Sequence, residues 1–211
     1  AMNSAKGLLK RFEDLLSQYP ALIADEASYL IGQQNRLASL WIDFGELDTA
    51  QQVMEHTEEL LDEPAYRAVP GVADQAAYGM SNRLKLANAF LARNRLAEAD
   101  RALQQVHGLL RKYRSSKKVQ EDTPALRAAV RSISKRLRVA SEERRRATLA
   151  ILQPELEQGW ALYKTRQLDQ LDAWLKGVSR RVNEALDAAH LDADPELLQR
   201  AERDCTALSL L

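Results

Sequence analysis

The sequence predicts an all-α protein in which antiparallel helix pairs stack and are followed by a long helical hairpin. Three observations predict it. Ala, Leu, Arg, Glu and Gln dominate the 211 residues, while Gly and Pro together supply only 14, and good helix formers with few breakers favour helix. No run of alternating β-branched residues marks a strand. Between Arg36 and Leu61, apolar residues recur at three-and-four spacing on both sides of Gly45, the pattern of two helices folded back on each other. Such a pair cannot bury both faces alone and needs neighbours to stack on.

In chain order, Ala1 ahead of Met2 reads as a cloning remnant. Asn3 or Ser4 caps a first helix to about Gln18, with Leu8, Leu9, Phe12, Leu15 and Leu16 on its buried face. Tyr19-Pro20 ends it. A second helix starts near Asp25, carries Tyr29 and Leu30, and runs into the stripe Leu37, Leu40, Trp41 and Phe44. Gln33, Gln34 and Asn35 at its centre read as a solvated turn or as a polar groove wall. Gly45 breaks the chain. The next helix carries Leu47, Ala50, Val53, Met54, Thr57, Leu60 and Leu61. Residues 62–75, with two prolines and a glycine, read as a loop that tucks Tyr66, Val69 and Val72 back on the body.

The pattern then recurs at residues 85–110, with helices near 74–93 and 95–113. Leu86-Ala87, Phe90, Asn94, Leu96 and Ala99 fall where Leu37-Ala38, Trp41, Gly45, Leu47 and Ala50 stood. Gly and Asn are the residues that most easily take the left-handed conformation of a tight turn. A fainter third copy spans Gly159 to Val178, with Leu162, Leu168 and Leu175 in place of Trp41, Leu47 and Met54, and with Leu171 where a small residue belongs. A small pair, an aromatic three residues on, a turn Gly and an Ala in the second helix resemble tetratricopeptide (TPR) repeats. The two good copies stand 49 residues apart, longer than that family's usual ~34. The resemblance implies that first helices line a concave groove, which Asn35, Ser39, Asp43, Lys85 and Asn88 would face. Only Lys85 and Asn88 match the family's clamp for a terminal carboxylate, so a partner helix or internal segment fits better.

Residues 111–118 are polar and basic, and read as a loop and boundary: 1–114 is a TPR-like repeat region, and 115–211 a long helical hairpin plus C-terminal helix packed on the first region. Thr123-Pro124 opens the hairpin's first helix, whose seam is Leu126, Val130, Ile133, Leu137 and Ala140. Residues 141–146 (SEERRR) hold nothing apolar, so the helix there projects, kinks or continues as a solvated rod to Leu152. Pro154 marks a new start. The cleanest seam, Leu168, Leu171, Leu175, Val178, Val182, Leu186 and Ala189, packs antiparallel on the 124–152 helix. Asp194-Pro195 caps a short last helix with Leu197, Leu198, Ala201, Cys205 and Leu208.

The net charge is zero but uneven. Residues 1–110 carry 10 Lys/Arg against 15 Asp/Glu, residues 111–146 carry 13 against 4, and the rest 7 against 11. Within the basic middle, Arg127, Arg131, Lys135 and Arg138 lie near one helix face, and Arg144, Arg145 and Arg146 follow. These cations either pair with the acidic flanks or within the hairpin, the favoured reading, or neutralise nucleic-acid phosphates. Only Tyr113 is close enough to stack on a base.

Signs of catalysis are scarce. His56, His107 and His190 lack metal-ligand spacing, Cys205 sits on an apolar stripe as an inert thiol, and there is no glycine-rich phosphate loop or nucleophile elbow. Carboxylate pairs such as Glu58-Glu59 and Asp62-Glu63 read as solvated faces. One cysteine permits no intrachain disulfide and fits a reducing, cytoplasmic setting. No apolar stretch reaches a membrane span, and no signal-peptide core is seen. The expectation is a non-catalytic adaptor or chaperone-type module without cofactor or metal, binding a partner protein. A homodimer through the 124–189 hairpin is compatible with it, and nucleic-acid binding through residues 111–146 is the alternative.

Overall fold

The computed structural model describes residues 2–188, and every regular element among them is helical. The expected C-terminal helix with Cys205, and His190, lie outside the described residues. The helices are α1 (Met2–Gln18), α2 (Ile23–Asp43), α3 (Leu47–Asp62), α4 (Pro64–Arg67), α5 (Val72–Ala92), α6 (Leu96–Lys112), α7 (Lys117–Lys164) and α8 (Leu168–Ala188), with a 3₁₀ turn at Pro20–Leu22. The chain divides into two compact units, Ala1–Arg138 and Val139–Leu211. The division falls inside α7, rather than at the 114/115 turn where the charge pattern changes.

Turn chemistry sets the frame. Gly45 (φ 80°) and Asn94 (φ 58°) take the left-handed conformation their residue types favour. The Glu46 N–H donates to the Trp41 carbonyl at 2.9 Å and the Gly45 N–H to that of Ile42 at 3.0 Å. Arg95 to Phe90 (2.9 Å) and Asn94 to Leu91 (3.1 Å) repeat the motif. It recurs a third time at Arg166 (φ 54°), with Gln167 donating to Leu162 and Arg166 to Tyr163, both at 3.0 Å. These paired bonds satisfy carbonyls a helix end would otherwise leave open.

In the first unit, α2 packs on α1, α3 and α5, and α3 and α6 both pack on α5. α3 buries Leu47, Ala50, Val53, Met54, Thr57, Leu60 and Leu61, the seven positions marked by the spacing. α2 departs from its expected stripe. Leu37 is buried, but Leu40 and Phe44 are exposed and Trp41 is half-buried, while Ile31, Gln34, Asn35 and Ile42 turn inward. Three neighbours demand a wider and rotated apolar arc. α1 packs mainly on α2 and the 3₁₀ turn, and its Glu13 meets His56 of α3 at 2.7 Å. Leu16 is therefore buried while Leu8 and Leu15 stay exposed. α2 begins at Ile23 without a side-chain cap; Asp25 and Glu26 instead occupy its first turn, where negative charge is favoured. The 62–75 loop contains α4, and Tyr66, Val69 and Val72 are buried as expected.

Charges stitch the pairs together. Arg95 donates to Asp48 at 2.7 Å and to Glu98 at 2.9 Å, and the hydrogen bond from Arg95 holds the Asp48 carboxyl below its ordinary pKa. Asp62 accepts from the Lys112 ammonium and, at 3.2 Å, from the Tyr113 hydroxyl. Glu58 is not simply a solvated face. It accepts at 2.8 Å from Nε of Arg83, a side chain with 0% exposure whose Nη1 and Nη2 have no partner among the described residues.

α7 overturns three expectations. It starts at Lys117, because Ser116 Oγ caps it by accepting from the Val119 N–H at 3.2 Å and donates to Asp74 at 2.6 Å. Thr123 is internal and returns its hydroxyl to the Val119 carbonyl at 2.6 Å. The helix then runs through the solvated 141–146 stretch and through Pro154 to Lys164. One missing N–H does not end it, since Leu152 before the proline and Leu162 and Tyr163 after it pack on the same cluster. In the second unit α8 packs on this 151–163 stretch: Leu152, Leu171, Trp174, Val178, Val182 and Leu186 form its core. Gly159 lets Trp174 lie against α7, where a Cβ would stand 2.5 Å from the ring. Glu155 accepts from Trp174 Nε1 at 3.3 Å and from Arg181 Nη2 at 2.8 Å. Leu126, Val130, Ile133 and Leu137 are likewise buried.

Candidate partner-binding cleft

α2 and α5 run side by side and are joined by polar bonds along their length. Gln75 Nε2 donates to Ser28 Oγ at 3.3 Å, Asn82 Nδ2 to the Asn35 carbonyl at 2.7 Å, and Lys85 Nζ to Ser39 Oγ at 2.9 Å. Partners ascend together on both helices, so the helices are parallel. Between them lies a cleft of about 520 Å³. Ser28, Tyr29, Gly32, Gln33, Asn35, Arg36 and Ser39 line it from α2, and Gln75, Tyr78 and Asn82 from α5. Arg36 is its only charged lining residue.

Asn35 is the critical group. It is 4% exposed, and its Nδ2 donates to the Gln75 carbonyl at 3.2 Å, which fixes the amide's orientation. Its Oδ1 then has no donor among the described residues. A desolvated acceptor without a donor costs free energy of about 1–3 kcal/mol. Tyr29 and Tyr78 stand 59% and 53% exposed at the cleft. They are 49 residues apart, the spacing of the two helix-pair copies. That shared spacing is the signal of the pair in the sequence.

Of the five expected groove residues, Asn35 and Ser39 line the cleft. Asp43 and Lys85 lie beside it but are engaged with each other at 2.6 Å. Asn88 is removed from it: its Oδ1 accepts from Arg136 Nη1 of α7 at 2.8 Å. With Ser116 on Asp74, this contact places the first part of α7 beside α5, also in parallel.

The basic residues differ from the favoured expectation. Arg127, Arg131, Lys135 and Arg138 are exposed, and none forms an ion pair among the described residues. Four acids of the first unit are paired elsewhere, Asp43 with Lys85, Asp48 with Arg95, Asp62 with Lys112 and Asp122 with Lys118. Arg145 and Arg146 are also exposed, and Arg144 is half-buried.

Among the described residues no group of three or more His, Cys, Asp or Glu side chains could hold a metal. No described helix is long and apolar enough to cross a membrane. No protein family, curated protein or solved structure matches the chain.

Proposed function

We propose that the protein is a non-catalytic interaction module, an adaptor or chaperone-type scaffold built from TPR-like stacked helix pairs, whose α2/α5 cleft receives a helix or peptide segment of a partner protein. The observation that carries the reading is the cleft itself, about 520 Å³ between α2 and α5 and walled mostly by uncharged polar side chains and two tyrosines. A peptide backbone offers one N–H per residue, and Gln33, Gln75 and Asn82 beside it supply both donors and acceptors. Tyr29 and Tyr78 add aromatic area of the kind that anchors protein interfaces.

The test is affinity capture from host lysate with the wild-type chain and with Tyr29→Ala/Tyr78→Ala, whose side chains are exposed enough to be removed without emptying a core. One protein, retained stoichiometrically after nuclease treatment and lost with the double variant, is the expected result. Equal capture by both forms, or capture abolished by nuclease, rejects the cleft.

A second reading rests on a separate observation. Four exposed cations without ion pairs on α7 can contact nucleic-acid phosphates, with affinity falling steeply as salt rises.

A further inference from the structure

We infer that the segment received by the α2/α5 cleft is acidic, its carboxylates held by Arg36 at the cleft and by Arg127, Arg131, Lys135 and Arg138 of α7, cations with no ion pair among the described residues. The inference rests on the cleft reading and gives its ligand a chemistry.

The charge balance carries it. The chain is neutral overall, yet 13 of its 30 cations fall within residues 111–146. Lys85 meets Asp43, Arg95 meets Asp48 and Glu98, and Lys118 meets Asp122 at 3.1 Å. The stripe on α7 meets no acid among the described residues, although it follows an acidic 110-residue segment. Side chains spaced four, four and three apart share one helical face. Like charges at that spacing repel one another, and a bound polyanion relieves the repulsion.

Position joins the stripe to the cleft. α2, α5 and the first part of α7 lie in that order, tied by Asn82 to Asn35 on one side and by Arg136 to Asn88 on the other. Packed helices stand roughly 8–10 Å apart. An extended segment of about a dozen residues, at roughly 3.3 Å each, is therefore long enough to fill the cleft and reach the cations. Peptide is favoured over nucleic acid because residues 117–138 contain no aromatic side chain for stacking bases.

The experiment selects binders to the full chain from a phage-displayed library of random 12-residue peptides, then measures synthetic binders by fluorescence anisotropy. The expected pool is enriched in Asp and Glu. Its members weaken about tenfold or more with Arg127→Glu/Arg131→Glu and on raising salt from 50 to 500 mM, but little with Lys10→Glu/Arg11→Glu, an equal change in net charge on α1. They also weaken with Tyr29→Ala/Tyr78→Ala. Binders without acidic enrichment that ignore the α7 reversal but respond to the tyrosine variant overturn the inference and leave the cleft reading standing. No selected peptide, with a 12-nucleotide single-stranded DNA bound and released by the α7 reversal, overturns both and gives the stripe to phosphates. No binding of either probe also overturns both.

Discussion

Arg83 offers a sharp test of what holds the first unit together. Its side chain is fully buried, and one 2.8 Å bond to Glu58 is its only ion pair among the described residues. Removing an arginine's hydration costs several kcal/mol, and a single carboxylate that is itself 25% exposed returns only part of it. The two partnerless Nη atoms add about 1–3 kcal/mol each. Glu58→Gln leaves the cation buried beside a neutral oxygen. Breaking a buried pair costs about 3–5 kcal/mol, and the partial exposure of Glu58 points to the lower end. Arg83→Met removes the desolvated charge and keeps most of the volume, so it should be neutral or stabilise by about 1–2 kcal/mol. The double substitution should then resemble Arg83→Met alone. Urea unfolding followed by far-ultraviolet circular dichroism and by fluorescence reads the difference. At a slope of about 3 kcal/mol/M, Glu58→Gln lowers the midpoint by about 1 M. The reasoning is refuted if Glu58→Gln costs under about 1 kcal/mol, or if Arg83→Met costs more than about 2 kcal/mol.

Two further outcomes follow from the second unit. Arg166 holds a left-handed conformation at φ 54°, a strain of about 1–2 kcal/mol for a residue with a Cβ. Glycine relieves it but gains about 0.5–1 kcal/mol of freedom in the unfolded chain. Arg166→Gly should therefore stabilise by about 0.5–1 kcal/mol, seen as a rise of a few degrees in the thermal midpoint; a fall would show that the arginine side chain matters more than the backbone. Hydrogen bonding from Arg181 holds the Glu155 carboxyl below its ordinary value of 4.5. A lowered folded value means that its contribution is fully present above pH 4.5 and is lost as the pH falls through the folded value. Thermal melts from pH 6 to pH 3 should show a steeper loss for wild type than for Glu155→Gln, and parallel curves would contradict the assignment.

α3 and the turns at Gly45 and Asn94 were legible because each position there obeys one dominant rule. The seven buried residues of α3 follow a single period, and Gly45 and Asn94 combine turn position with the conformation those residue types prefer. The reading weakened wherever a second rule competed. Pro154 signals a helix start locally, yet packing of the residues around it against α8 carries α7 through. Arg166 turns the chain as Gly45 does, although nothing about arginine announces it. Leu40 and Phe44 fit the period of α2 but face outward, because three neighbours rotate the buried arc. At the cleft, Asn35 and Ser39 stand on a first helix and line it. Lys85, Asp43 and Asn88 share the same repeat pattern, but cross-helix partners, invisible in one dimension, engage them. The identity of those partners also hid the unpaired stripe on α7.

α7 has a consequence for how the chain can be cut. Its two units meet between Arg138 and Val139 inside an unbroken hydrogen-bonded helix, so no exposed connecting loop offers itself to a protease there. Cleavage has to wait for the helix to open locally. Opening is easiest over residues 141–146, where no apolar side chain is anchored and three arginines stand in succession. The rate at which the halves are separated by a trypsin-like enzyme would then report the local melting of α7 rather than the stability of either unit.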